Sequence, residues 1–131
     1  MRVLDTDVCV EILRGNREVI SRRSAVADSV TTTWVTAAEL YYGAAKSKAP
    51  EKNRVLVSDF LTTIDSLGLD LAAVQRFGVL KADLERQGRR LADADLLIAS
   101  TALSRGAILV TGNRAHYERI PDLQLEDWIR P

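Results

Sequence analysis

The sequence predicts an α/β fold, a sandwich in which a central, mainly parallel sheet is flanked by helices. Short runs rich in Val, Ile, Leu and Thr alternate along the chain with longer segments of helical periodicity, which is the pattern of βα units. The 131 residues are 47% hydrophobic and 27% charged, as in ordinary globular proteins. The length and the lack of a linker-like segment predict one domain spanning residues 1–131.

The composition argues against several classes of protein. The 18 basic and 18 acidic residues cancel, so no overall field favours a nucleic-acid partner. The single cysteine, Cys9, excludes an intramolecular disulfide, and its apolar neighbours indicate a core residue rather than a nucleophile. One histidine, His116, is too little for an ordinary zinc site. No apolar run is long enough to cross a membrane, so we expect a cytoplasmic protein without membrane contact.

The first strand is expected at residues 2–4, at the centre of the sheet. It ends on the polar segment 5–7, and in open parallel sheets such strand ends face a crevice. Thr6 or Asp7 is expected to cap the next helix, which ends at Gly15.

A second helix is expected over residues 17–27, and a Val- and Thr-rich run predicts a strand over residues 29–35. The next helix is expected to begin at Thr36 and to run to about Lys46. Thr36 and Glu39 have the spacing of a capping box, in which Glu39 bonds back to the Thr36 backbone. The spacing is equally compatible with this structural use of Glu39 and with a catalytic one.

The middle of the chain predicts two more helices around a short strand. Pro50 is a good first residue for a helix, and a strand is expected at residues 64–67. Asp70 is expected to cap the helix that ends before Gly88.

The segment that organises the last third of the chain begins with two acids in the first turn of a helix. Asp93 is expected mainly as a helix cap. Asp95 is followed by four apolar residues, so its carboxylate should lie at the edge of the core and need a partner. A buried strand is expected at residues 107–110, and an edge strand within residues 123–128.

Four polar residues, distant in sequence, are predicted to meet at one crevice. Asp5, Glu39, Asp95 and Asn113 lie beyond strand ends or in early helix turns, positions that converge in an open parallel sheet. Three carboxylates without cations would repel one another, and Mg²⁺ or Mn²⁺ would relieve that repulsion through oxygen ligands. Such an ion activates water for phosphodiester hydrolysis. The candidate supporting residues are Thr6, Asp93, Thr111 and Asn113.

Several segments in matching order carry a family resemblance. They are residues 4–7 (LDTD), 36–44 (TAAELYYGA), 88–91 (GRRL), 95–99 (DLLIA), 109–117 (LVTGNRAHY) and 123–128 (LQLEDW). With these segments the chain resembles PIN-domain ribonucleases of the VapC toxin type over nearly its whole length. The resemblance implies a PIN-like fold and a Mg²⁺-dependent endoribonuclease, with Asp5, Glu39 and Asp95 as its catalytic, metal-binding carboxylates. It also implies a homodimer and a cognate VapB-like antitoxin.

The chain departs from the family pattern at three positions. Asp7 replaces an Asn of many members, Arg90 replaces a Pro, and Asn113 stands where some members have Asp. Because Asn113 contributes no charge, a second metal ion is in doubt. Exposed cations after the helices that flank the crevice are candidates for contacts with RNA phosphates: Arg14, Lys46 and Lys48.

Two alternatives belong to other functional classes. Residues 5–8 (DTDV) resemble the D-x-D start of the D-x-D-x-[TV] motif of haloacid-dehalogenase-like phosphotransferases and phosphatases, with Asp5 as the nucleophile, although Cys9 stands at the fifth position of the motif. That class also needs a Lys near a later strand end, and no Lys follows Lys81. The other alternative is a non-catalytic binding domain, whose acids are caps and surface charge.

Overall fold

A five-stranded sheet lies at the centre of the structure, a computed structural model that describes residues 1–130. All the strand pairs in it are parallel. In chain order the elements are β1 (Arg2–Leu4), α1 (Thr6–Leu13), α2 (Arg17–Ala25), β2 (Val30–Thr33), α3 (Trp34–Ala45), α4 (Pro50–Leu61), β3 (Asp65–Leu67), α5 (Leu71–Arg86), α6 (Asp93–Ser104), β4 (Ile108–Val110), α7 (Arg114–Tyr117) and β5 (Leu125–Glu126). The predicted α/β class is confirmed.

The strand order is β3-β2-β1-β4-β5, so β1 is the central strand, as the sequence predicts. The chain builds outward from β1 through β2 to β3, then returns to place β4 on the other side of β1. In doubly wound sheets a crevice opens at the carboxyl ends of the strands where the winding changes direction. Here that point lies between β1 and β4.

The two faces of the sheet are covered by separate apolar clusters. Successive residues of a strand point to opposite faces, and accordingly Val3 belongs to one cluster and Leu4 to the other. Leu109 and Val110 of β4 divide in the same way. Because helices pack on both faces, the buried residues of these strands are apolar on both faces instead of alternating with polar ones.

Two predicted helix caps are wrong. Asp5, rather than Thr6 or Asp7, is the N-cap of α1, since its Oδ1 accepts a hydrogen bond from the Thr6 amide at 2.8 Å. The predicted capping box of Thr36 and Glu39 does not form either. Helix α3 begins two residues earlier than expected, at Trp34. Thr33 is its cap, and the Thr33 hydroxyl accepts from the Thr36 amide at 3.0 Å. Glu39 therefore lies in the second turn and is available for other contacts.

The remaining elements differ from expectation by a few residues at their ends. Pro50 begins α4 and Asp70 caps α5, as predicted. Gly106 follows the C-cap of α6 and has φ of +61°, a left-handed conformation that suits glycine. This conformation ends the helix and lets the chain turn into β4. The last strand is the predicted edge strand and pairs with β4. Within residues 1–130 no helix has the length and apolar character to span a bilayer.

Candidate active site

A polar crevice opens at the carboxyl edge of the sheet, where β1 and β4 end. Asp5 follows β1 directly, the segment 111–113 follows β4, and helices α3 and α6 contribute from the sides. The residues that line the crevice are Asp5, Thr6, Asp7, Glu39, Asp95, Gly112, Asn113 and Arg130. The structure thus brings together the four residues that the sequence analysis predicts to converge.

Asp5 is the most buried carboxylate of the crevice, with 5% of its surface exposed. Its Oδ1 accepts from the Thr6 amide, and its Oδ2 accepts from the Thr111 hydroxyl at 2.8 Å. Burial, followed by the charge of Asp7, raises the pKa of Asp5 to about 7, although these two hydrogen bonds oppose the shift. The nearby charge of Asp95 raises that pKa further. Asp5 is therefore held in a fixed orientation at a strongly electronegative position.

Asp7 lies beside Asp5, half-buried, and turns its carboxylate toward the loop after β4. Its Oδ2 accepts from the Gly112 amide at 2.9 Å, whereas its Oδ1 is buried and has no hydrogen-bond partner among residues 1–130. Burial raises the pKa of Asp7 above its usual value, and the hydrogen bond from Gly112 opposes the shift. A buried carboxylate oxygen without a partner is costly in free energy, which marks this side of the crevice as short of positive charge.

Glu39 reaches the crevice from the second turn of α3 and is held there by Thr6. The Thr6 hydroxyl donates to Glu39 Oε1 at 2.6 Å, and it also lies 3.1 Å from the Thr36 hydroxyl oxygen. This contact joins the start of α1 to α3. The predicted supporting role of Thr6 therefore has a geometric basis, because Thr6 sets the direction of the Glu39 carboxylate.

Asp95 lies in the first turn of α6 and is partly buried, at the edge of the core as predicted. The predicted convergence placed Asp95 in the first turn of a helix that follows a strand, and this premise is wrong, because α6 follows helix α5. Asp95 is also close to Tyr117, a fully buried residue whose hydroxyl has no hydrogen-bond partner with acceptable geometry. Burial, and then the charges of Asp5 and Asp95, raise the pKa of Tyr117.

Asp93 lies apart from the crevice. Its side chain is 60% exposed, and its Oδ1 is 3.0 Å from Lys81 Nζ in an ion pair with α5. The predicted cap is wrong in detail, since Ala92 is the N-cap of α6 and no side chain caps this helix. Asp93 keeps only the favourable position of an acid in a first helical turn.

The segment after β4 positions the Asp5 carboxylate from the other side. Thr111 is fully buried, and its hydroxyl donates to Asp5 while accepting from the Asn113 amide at 3.0 Å. The Asn113 side chain lines the crevice, but its Nδ2 lies 2.8 Å from His116 Nδ1. Asn113 is thereby tied to α7 and adds no charge to the site.

The predicted phosphate contacts are not among the residues that line the crevice. Arg14 is exposed and pairs with Glu11 at 3.3 Å. Lys46 Nζ lies 4.6 Å from the centre of the Tyr42 ring, at the end of α3, seven residues beyond Glu39 and so about 10 Å further along the helix. Lys48 is exposed in the following turn. These three cations would therefore contact phosphates only of RNA that extends beyond the crevice.

The oxygen-only donor set of the crevice fits a hard divalent cation. Among residues 1–130 no three His, Cys, Asp or Glu side chains form a ready-made metal cage. Mg²⁺ does not need one, because it is commonly held by one or two carboxylates and keeps several of its waters. The buried and unsatisfied Asp7 Oδ1 and the raised pKa of Asp5 both indicate a place where a cation would relieve repulsion.

Three residues of the site escaped the sequence analysis. Asp7 was considered as a helix cap and as a departure from the family pattern but not as a site residue, although its i, i+2 spacing from Asp5 was a usable signal. Tyr117 and Arg130 had no local signal, because only the folded chain brings the buried Tyr117 near Asp5 and Asp95 and brings Arg130 to the lining of the crevice.

Comparisons with known proteins agree with this fold. The PIN domain profile matches residues 2–123. The chain is 37% identical to Ribonuclease VapC2 of Haemophilus influenzae, over 97% of each chain. It is 38% identical to the tRNA(fMet)-specific endonuclease VapC of Shigella flexneri, over 96% of each. Its structure matches the crystal structure of VapBC2 from Rickettsia felis bound to a promoter DNA fragment, with a TM-score of 0.91 and 31% identity over 97% of this chain and 98% of that one.

Proposed function

The chain belongs to the VapC family of PIN-domain ribonucleases, and on that premise we propose that it is a Mg²⁺-dependent endoribonuclease. We further propose that it is the toxin of a toxin–antitoxin pair and acts in the cytoplasm on single-stranded or looped RNA. The observation that carries the proposal is the crevice itself, in which four carboxylates (Asp5, Asp7, Glu39 and Asp95) face one space.

Asp5 and Asp95 are the proposed principal ligands of one Mg²⁺ or Mn²⁺, with Glu39 as the third carboxylate. Held there, the cation would supply charge neutralisation, polarisation of a phosphate oxygen and a lowered pKa for the attacking water. The protein contributes fixed positions: the Thr111 hydroxyl and the start of α1 hold Asp5, and Thr6 holds Glu39. Hydrolysis by water leaves 5′-phosphate and 3′-hydroxyl ends.

The two alternatives have little support from the structure. A phosphotransferase of the haloacid-dehalogenase kind needs Asp5 as a free nucleophile, but both oxygens of Asp5 accept hydrogen bonds and the side chain is buried. Among residues 1–130 no Lys lines the crevice to assist such a step. A purely non-catalytic domain does not account for an unsatisfied acid cluster, nor for relatives that are named ribonucleases.

An apolar groove beside the crevice is the proposed site for an antitoxin helix. Helices α1, α3 and α4 form it with Val10, Leu13, Leu40, Leu56 and Val57. Thr6 and Glu39 line both the groove and the crevice, so the two are continuous. An amphipathic helix in the groove would place a neighbouring Arg or Lys of the antitoxin among the carboxylates, in place of the metal.

A homodimer is proposed through an exposed apolar patch near the β3 edge of the sheet. The patch consists of Trp34, Leu69, Leu71 and Val74, of which Leu71 is 71% and Trp34 is 62% exposed. Exposed apolar patches of this kind are typical of protein interfaces. Light scattering should give twice 14.5 kDa for the purified chain, and Leu71→Glu should give a monomer. A wild-type monomer would contradict the dimer.

The direct test of the proposed role is induction of the chain in bacteria. We expect growth arrest and new RNA ends, with the initiator tRNA as the first RNA to examine because a relative is named for that substrate. Asp5→Ala should abolish both effects, and co-expression with the open reading frame directly upstream should suppress them. Arrest that is equally strong with Asp5→Ala would remove the crevice from the toxic activity.

A further inference from the structure

The guanidinium of Arg130 stands at the mouth of the acidic crevice. We propose that Arg130 binds a phosphate group of the RNA substrate, and that Gly112 is glycine because the Arg130 side chain crosses its backbone at this point. The proposal rests on the proposed ribonuclease function. It names a substrate-binding residue that is not among the site residues predicted from the sequence.

The end of the chain holds Arg130 in place through a compact turn. Asp127 Oδ1 accepts from the amides of Ile129 and Arg130, at 2.8 and 3.0 Å. The Arg130 Nη1 donates to the Gly112 carbonyl oxygen and lies 3.9 Å from Asp127 Oδ2. Both contacts use Nη1, so the opposite edge of the guanidinium has no acceptor within residues 1–130. The side chain is 68% exposed, and RNA can therefore reach that edge.

The space above Gly112 is fully used by this arrangement. A Cβ on residue 112 would lie 2.8 Å from Arg130 Nη1, 2.8 Å from Ile129 Cδ1 and 3.0 Å from Asp7 Oδ2. Gly112 does not have a positive φ, so the requirement for glycine comes from this close approach and not from the backbone. Because the crowded atoms are side-chain ends, an alanine here would displace these side chains, the guanidinium among them, and leave the backbone in place.

Charge gives the reason for a cation at this place. An RNA phosphate that approaches four carboxylates is repelled, and one divalent ion offsets only part of that charge. Arg130 is the one cationic residue among the described residues that line the crevice. A guanidinium stays charged at every relevant pH and donates two parallel hydrogen bonds to a phosphate. The ammonium group of a lysine is a point charge and lacks this two-pronged geometry.

The first test measures RNA binding without metal, by fluorescence anisotropy of a labelled single-stranded RNA in EDTA. Arg130→Gln should weaken binding by about 10- to 100-fold, the effect of losing one charged hydrogen-bonding group. The slope of log affinity against log salt should become shallower by about 0.7, the value for one phosphate contact with a single strand. Arg130→Lys should recover part of the affinity, and Gly112→Ala should resemble Arg130→Gln. Arg114→Gln, which removes an exposed charge outside the crevice, is the matched control.

The second test measures Mn²⁺ affinity of the same variants by calorimetry. Arg130→Gln should bind Mn²⁺ as tightly as the wild type or more tightly, because a positive charge has left the acidic crevice. RNA binding and Mn²⁺ binding that weaken together would show a structural role for the tail and overturn the proposal. RNA binding equal to wild type, or faster cleavage by Arg130→Gln, would also overturn it. A wild type that binds RNA through Arg130 but cleaves none would contradict only the proposed nuclease activity.

Discussion

Replacement of Asp5 by Asn is expected to abolish RNA cleavage and, in the metal-free protein at pH 8, to increase stability. Cleavage is lost because the charge of a proposed metal ligand is gone. Stability rises because Asp5 is charged at pH 8 in a buried, electronegative position, whereas Asn is neutral there. Asn is also as good an N-cap as Asp, so α1 keeps its first hydrogen bond.

The stability effect has a defined dependence on pH. The pKa of Asp5 is 3.8 in the unfolded chain and about 7 in the folded one, so between these values the folded state binds more protons. The stabilising contribution of the protonated carboxyl is thus fully present below pH 3.8 and is lost as the pH rises through 7. From pH 5 to pH 8 the wild type should lose about 3 kcal/mol relative to Asp5→Asn, since about two pKa units separate pH 5 from the folded pKa and each unit corresponds to about 1.36 kcal/mol.

Thermal unfolding in EDTA at pH 5 and pH 8 measures this difference, and added Mg²⁺ should restore only the wild type. Asp83→Asn makes the same charge change on the exposed surface of α5 and serves as the control. If the unfolding temperatures of the wild type and of Asp5→Asn changed with pH in parallel, the raised pKa of Asp5 in the folded protein would be contradicted.

The second large effect is a difference in RNA cleavage between variants of two aspartates that lie two residues apart on α6. Asp95→Asn should reduce cleavage by about 100-fold or more, the scale of removing a group that acts on the reacting atoms. Asp93→Asn should retain cleavage, because its side chain is exposed and pairs with Lys81 away from the crevice. Loss of a surface pair of this kind costs about 0–1 kcal/mol of stability.

Single-turnover cleavage of one RNA by both variants, with their unfolding temperatures, tests this separation. The two variants have the same change of charge in the same helical turn, so each is the control of the other. If Asp93→Asn were as inactive as Asp95→Asn, the functional acidic site would extend beyond the crevice described here.

The position of Asp5 was predictable because it follows from sheet geometry. Asp5 comes directly after the central strand, and the carboxyl ends of parallel strands share one edge. Glu39 was ambiguous, since Thr36 had capping-box spacing. The ambiguity disappears in the structure because Thr33 supplies the cap and frees Glu39 to bond Thr6.

What could not be predicted depends on contacts between distant segments. Asp93 has the sequence position of a helix cap, but in the structure its carboxylate forms an ion pair with Lys81 on the preceding helix. Arg130 reaches the crevice only because the tail after β5 passes over Gly112, and no periodicity or spacing encodes that crossing. Tyr117 likewise has the pattern of a core aromatic, and its unpaired hydroxyl near two carboxylates is visible only in the fold.

The central claim is that this crevice hydrolyses RNA with a divalent cation, and the end groups of the product test it most directly. The purified chain should cleave a single-stranded RNA in Mg²⁺ or Mn²⁺ and leave 5′-phosphate and 3′-hydroxyl ends, and EDTA should stop the reaction. Cleavage that persists in EDTA, or products that end in a 2′,3′-cyclic phosphate, would contradict hydrolysis by a metal-activated water.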